Sequence, residues 1–148
     1  MRPRARPWRN APTAPRSRTV AELGEGFYPH QSPIDAYGNG GFRFANMSHR
    51  GSLLCLPGGM HAWAVTEPAG ITLEALAPIF AAADAIDVLL VGLGSEIAGF
   101  DKDIRAALRE RKIIVEAVAT GGAVRTYNVL LAEGRAVAAA LIAVDVAR

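Results

Sequence analysis

Residues 120–144, TGGAVRTYNVLLAEGRAVAAALIAV, admit few folds. The run opens with Thr120, a candidate N-cap, followed by Gly121 and Gly122. Val124, Tyr127 and Leu131 then recur at i, i+3 and i+7, the spacing of one helical face. Gly134 stands where a helix ends on a left-handed residue. Directly after it, residues 137–144 are apolar throughout, as in a strand covered on both faces. Helix, glycine stop and buried strand in direct succession predict a helix packed on a sheet.

The preceding segments repeat that logic. Residues 87–93 read as a buried strand that ends in Gly92-Leu93-Gly94-Ser95. Residues 101–112 are amphipathic, with Ile104 and Leu108 facing inward. Asp101 and Asp103 suit the positive end of that helix, and Arg109, Arg111 and Lys112 suit its negative end. Residues 113–118 form the next strand. Strands and helices alternating through short connections predict right-handed parallel crossovers. Before them, Thr72 predicts a cap for a helix running to about Ala83, with Pro78 kinking or splitting it.

The first half has a different rhythm. Residues 27–39 are rich in turn formers and predict an irregular lead-in with a short strand around Ile34. Residues 41–46 alternate, Phe42 and Phe44 on one face and Arg43 on the other. Residues 52–56 give a second strand, with 47–51 as the hairpin loop between them. Pro57-Gly58-Gly59 then turns the chain into a third strand, residues 60–65, carrying Met60 and Trp63. The expected fold class is therefore α/β: a three-layer single domain, with an antiparallel β-meander leading into βαβαβ and a mixed central sheet. Residues 21–148 make up this domain.

Residues 1–20 are set apart by composition. Residues 1–18 hold six arginines, four prolines and no acid, which predicts a disordered tail. The rest of the chain carries ten basic and fourteen acidic groups, a net charge of −4. Nucleic-acid binding by a basic face of the folded body is thus disfavoured. No apolar stretch reaches the roughly 18 residues of a membrane span, and no apolar h-region marks a secretory signal. These features predict a cytoplasmic protein, or one of the mitochondrial matrix if the source is eukaryotic. The single cysteine, Cys55, lies within Leu53-Leu54-Cys55-Leu56 and reads as a buried, inert thiol.

Chemistry in an open α/β sheet sits beyond the carboxyl ends of its parallel strands. Two such ends can be read: Gly92, Gly94 and Ser95 after one strand, and Thr120, Gly121 and Gly122 after the next. Glycines let a ligand approach the backbone, and a helix start offers unpaired N–H groups to an anion. Arg125 and Asn128, at i and i+3, could face the same cleft. A competing structural reading has Asn128 bonding to backbone and Glu133 pairing with Arg135. Neither a complete dinucleotide fingerprint nor a Walker lysine follows Gly92-Leu93-Gly94. His30, His49 and His61 lack metal-ligand spacing, and the serines lack a nucleophile-elbow context, so neither metal nor cofactor nor catalytic residue is expected. For partner binding, Phe42, Phe44, Met60 and Trp63 are the candidates. A two-faced meander has few elements left to cover its second face, so some of these side chains are expected at the surface or under a second copy of the chain.

The chain resembles the family of mitochondrial complex I assembly factor 3 and its bacterial and archaeal relatives. The resemblance spans about residues 34–144. It rests on Ile34-Asp35-Ala36-Tyr37 with Gly40-Gly41-Phe42, Gly51-Ser52 with Leu54, and Pro57 with Trp63. Leu89-Leu90-Val91-Gly92-Leu93-Gly94 and Arg125-Thr126-Tyr127-Asn128-Val129-Leu130 extend it, and Glu133-Gly134-Arg135-Ala136-Val137 continues the last run. The resemblance implies a three-layer α/β fold with a mixed sheet. It also implies an uncharacterised, non-enzymatic assembly or scaffold role through protein contacts, with a respiratory-complex assembly component as partner and a homodimer left open. The alternative from the residues alone is a small-ligand or nucleotide-binding domain, with or without catalysis, built on the glycine loops.

Overall fold

Three strands that are apolar on both faces make the centre: β5 (Ser52–Leu56), β7 (Val88–Gly92) and β9 (Val137–Leu141). The computed structural model describes residues 26–96 and 98–147. The arginine-rich tail expected at residues 1–20 lies outside them. With β1 (Phe27–Tyr28), β6 (Gly59–Trp63) and β8 (Ile114–Val118), the central strands form a six-stranded sheet in the order β1-β6-β5-β9-β7-β8. β9 and β8 pair parallel to β7, whereas β5 joins β9 antiparallel, Leu54 opposite Ala140, so the sheet is mixed.

Because successive side chains on a strand point to opposite faces, the central strands feed two cores. Leu54, Leu56, Leu89, Val91, Ala138 and Ala140 face one layer, which α1 (Ala77–Ala81) and α2 (Lys102–Glu110) complete through Ile79, Ile104 and Leu108. Leu53, Cys55, Leu90, Ala139 and Leu141 face the other, which α3 (Thr120–Ala132) closes with Ala123, Val124 and Tyr127. The expected mixed three-layer α/β arrangement is the one observed.

α2 begins as its composition requires. Asp101 Oδ1 accepts from the N–H groups of Asp103, at 2.7 Å, and Ile104, at 3.0 Å. Both long helices end in the same way: the Ile113 N–H returns to the Leu108 carbonyl, and the Arg135 N–H to the Leu130 carbonyl. The residue between helix and return bond is left-handed each time, Gly134 at φ 76° and Lys112 at φ 65°.

Three local readings are corrected. The helix expected from Thr72 is split: Thr72 Oγ1 accepts from the Ala75 N–H in a turn, and α1 starts only at Ala77. Pro78, lacking an N–H, fits the first turn of a helix but not its interior. Residues 47–51 are not a loop. Met47–Arg50 is strand β4, which pairs with β3 (Gly41–Phe44), Phe42 opposite His49. Nor is residue 34 in a strand; the short strand is β2 (Ala36–Gly38), joined to β3 by Asn39-Gly40. Both turn residues have positive φ, a type I′ hairpin. β2, β3 and β4 therefore form a separate antiparallel sheet. The chain passes from it into the main sheet at Gly51.

The meander side chains expected at the surface are buried within this one chain. Phe42, Phe44 and Met60 lie in the core on the α3 side, and Trp63 lies in the opposite one. Phe44, 0% exposed, meets Tyr28 edge-on at 5.0 Å. Trp63 Nε1 donates to the Ala75 carbonyl at 2.9 Å. The covering element is the lead-in, and α3 holds it there. Asn128 Oδ1 accepts from the Ile34 N–H and Asn128 Nδ2 donates to the Ile34 carbonyl, each at 2.8 Å. The Tyr127 hydroxyl donates to the Ser32 carbonyl at 2.8 Å, and Gln31 Nε2 donates to the Val137 carbonyl at 2.8 Å.

Two predictions follow from these contacts. At the helix ends, Gly134→Val should lower stability by about 1–2 kcal/mol, and Lys112→Gly should raise it by about 0.5–1 kcal/mol, because a Cβ disfavours left-handed backbone. Urea unfolding of the two variants checks both signs. The second concerns alkaline pH. Burial pushes the Cys55 thiol and the Tyr127 hydroxyl above their ordinary values. Each raised group contributes stability that is full below its unfolded value and lost as pH rises toward its folded value. The urea midpoint should therefore fall from about pH 8.5, where an unfolded thiol ionises, and more steeply above about pH 10. Cys55→Ala should flatten the first part of that decline.

Candidate functional site

The carboxyl ends of β7, β8 and β9 meet where α2 and α3 leave on opposite faces, the position at which open α/β sheets take ligands. Thr120 ties these ends together. Its hydroxyl, 0% exposed, donates to the Ile142 carbonyl at 2.7 Å and accepts from the Gly94 N–H at 3.0 Å. Its N–H donates to the Gly94 carbonyl at 2.8 Å, so the segments after β7, β8 and β9 are joined through one residue. Gly92 makes this possible, since a Cβ there would stand 2.9 Å from the Thr120 hydroxyl oxygen and 3.0 Å from its Cα.

This corrects the expected N-cap. Ala119 occupies that position and supplies no side-chain acceptor, while the Thr120 hydroxyl turns to the sheet. Thr120 and Gly92 thus lie beneath the cleft as its foundation. Above them, Gly94, Ser95, Gly121, Gly122 and Arg125 border one recess of about 60 Å³, completed by Tyr37, Ala119, Val144 and Val146. Such a volume is that of about two waters. With α3 uncapped, the first-turn N–H groups lack intrahelical partners. Arg125 is exposed at this end. A neighbouring hollow of about 420 Å³ shares Gly94, Ser95 and Val144 but carries the opposite charge, with Glu67, Glu96 and Asp145 on its rim.

Asn128 does not join this group. Its amide is engaged with both backbone groups of Ile34, as the structural reading of that residue anticipates. Glu133 and Arg135 do pair, at 4.0 Å, with both side chains more than half exposed, a geometry that contributes little to stability. His49 is buried, 3.2 Å from the Tyr28 hydroxyl and 3.0 Å from the Ser52 carbonyl oxygen, while His61 packs against the Phe27 ring. Among the described residues, no group of three or more His, Cys, Asp or Glu is placed to hold a metal ion. In the same residues no helix is long and apolar enough to cross a membrane.

Beside the exposed Val146 of this recess, other apolar side chains reach the surface away from it. Ile114 (71% exposed) and Val118 (37%) are on β8, the outermost strand of the main sheet, and Val129 (55%) is on α3. Gly122 approaches Val118 closely enough that a Cβ would touch it at 3.4 Å, so the start of α3 lies beside this strand. Strand periodicity alone did not mark these residues, because it does not say which strand is the edge.

Comparison with known proteins places this geometry in a family. The profile of a family described as "Protein of unknown function (DUF498/DUF598)" matches residues 34–142. An uncharacterized protein of Rhodobacter capsulatus is 43% identical over 110 residues, 74% of this chain and 83% of its own length. NADH dehydrogenase (ubiquinone) 1 alpha subcomplex assembly factor 3 of Mus musculus is 31% identical over 125 residues, 84% of this chain and 68% of its own. Among solved structures, one described as an outer membrane protein from Bartonella henselae is similar, with a TM-score of 0.76 at 50% identity. That match covers 80% of this chain and 99% of the other.

The Thr120 junction has a direct test. Thr120→Val keeps the shape but leaves the Gly94 N–H and the Ile142 carbonyl without their partner, and should cost about 2–4 kcal/mol. Thr120→Ser retains the hydroxyl and should stay within about 1.5 kcal/mol of the parent. Urea unfolding of both variants separates loss of the hydrogen bonds from loss of a methyl group.

Proposed function

The chain belongs to the DUF498/DUF598 family, and from that membership we propose that it is a non-enzymatic assembly or scaffold protein acting through protein contacts. The observation that carries this reading is its 31% identity, over 84% of the chain, to a protein named as an assembly factor of NADH dehydrogenase. Its partner on this reading is a component of respiratory-complex assembly, met in the cytoplasm of a bacterium or in the mitochondrial matrix of a eukaryote.

The surface supports a contact role at a place other than the one the sequence suggested. Phe42, Phe44, Met60 and Trp63 are consumed by the cores. Ile114 and Val118 instead stand, with exposed Glu116 between them on the same face, on β8, which among the described residues is the last strand of the sheet. An edge of this kind offers a partner both main-chain hydrogen bonds and apolar contact.

Deleting the gene in its source organism tests the proposal. Assembled NADH dehydrogenase, measured on native gels, should fall and should return with the parent chain. It should not return fully with Ile114→Lys and Val118→Lys combined, a change of exposed side chains that should alter stability little. Normal enzyme levels in the deletion strain would overturn the assembly role. Full rescue by the double variant would move the contact away from β8.

A further inference from the structure

The small sheet has two faces of contrary character. Tyr37, Phe42, Phe44 and His49 point toward the core, so Ala36, Gly38, Gly41, Arg43, Ser48 and Arg50 share the outer face. That face borders a concavity of about 510 Å³. Its floor is low at Ala36, Gly41 and Ser48, while at Gly38 the backbone nitrogen of Ala147 stands 3.4 Å from where a Cβ would be. At Gly41 the floor is obligatory, because a Cβ there would collide with the His49 carbonyl oxygen. The two tall side chains are both arginines. Arg43 Nη1 donates to Ser48 Oγ at 3.2 Å. Among the described residues neither guanidinium forms an ion pair with a carboxylate. Two like charges, without an ion-pair partner among the described residues, thus stand over a low floor on a body whose net charge after residue 18 is −4.

The spacing of those charges selects a ligand. Arg43 lies opposite Ser48, and Arg50 lies two residues further along β4, opposite Gly41. Such diagonal neighbours are about 7–8 Å apart. In an extended peptide, alternate side chains on one face are about 6.6–6.8 Å apart. We infer that this face binds an extended acidic segment of a partner protein, with Asp or Glu at alternate positions. One carboxylate meets Arg43 and the next meets Arg50, each in the two-point geometry that a guanidinium offers. The small floor lets the peptide backbone lie close to the sheet. A nucleic acid would instead need a wide basic surface, which an acidic body with two arginines on this face does not provide. This inference concerns a different sheet from the one that holds β8 and stands without the assembly role.

Fluorescence anisotropy with the full chain tests it. The probe is a short labelled peptide of valine and threonine carrying glutamates at two alternate positions. It should bind, bind more weakly as salt rises, and perturb backbone amide resonances within residues 36–50. Arg43→Gln and Arg50→Gln should each weaken binding about fivefold, and together abolish it. Because both side chains are exposed, the melting temperatures of these variants should match the parent. Arg43→Glu combined with Arg50→Glu should exchange the preference for a peptide with lysines at those positions. Equal binding of the glutamine version, or of a peptide with its glutamates four apart, would overturn the inference. So would binding unchanged by the two glutamine variants, or displacement by inorganic phosphate or single-stranded DNA more readily than by unlabelled acidic peptide.

Discussion

One buried hydroxyl fastens the parallel half of this protein. Thr120 joins the segments that follow β7 and β9 and begins the helix that follows β8. A hydroxyl with both donor and acceptor roles filled is stable in a core, whereas either backbone group left alone there would be costly. The junction also sets where α3 lies. From that position Tyr127 and Asn128 reach the lead-in, and the lead-in covers Phe42 and Phe44. Much of the α3-side core therefore depends on the placement of one helix.

This dependence changes what the polar residues are for. Thr120 and Asn128 look like site residues in a sequence because both are polar and sit near glycine loops. In the fold each is fully occupied by backbone: Thr120 with Gly94 and Ile142, Asn128 with Ile34. What remains outward at the strand ends is Arg125 with the glycine amides on one side and Glu67, Glu96 and Asp145 on the other. The surfaces with unsatisfied character are the apolar edge of β8 and the arginine-bearing face of the small sheet. They lie in different sheets, so the two proposed contacts would use separate surfaces.

Legibility divided along similar lines. β7, α2, β8 and α3 are legible to within a residue or two at their ends, since each has a clear period, a cap or a glycine stop, whereas β9 ends at Leu141, three residues short of the apolar run that predicts it. The glycine at 134 carried its conformation in its identity. The small sheet was harder. Asn39-Gly40 is a strong hairpin signal and was available, but it stands among so many turn formers that the region read as irregular. Ala45-Asn46 makes the other tight turn with positive φ at both residues, and an alanine there gives no warning. Without those two turns, the spacing of residues 47–51 predicts a loop.

From its sequence alone, then, this chain determines its periodicities: which side of each strand and helix is apolar, where each helix stops, and that strands and helices alternate in the second half. Those are local properties, written in residues a few positions apart. The tertiary structure decided which apolar sides are covered and by what. Asn128 meets Ile34 across 94 residues, and that meeting buries the aromatic side chains of the small sheet. β8, mostly apolar but for Glu116, is left at the edge of the sheet, whereas the wholly apolar β9 is enclosed. Coverage is set by neighbours brought from far along the chain, and no local spacing encodes which neighbour arrives.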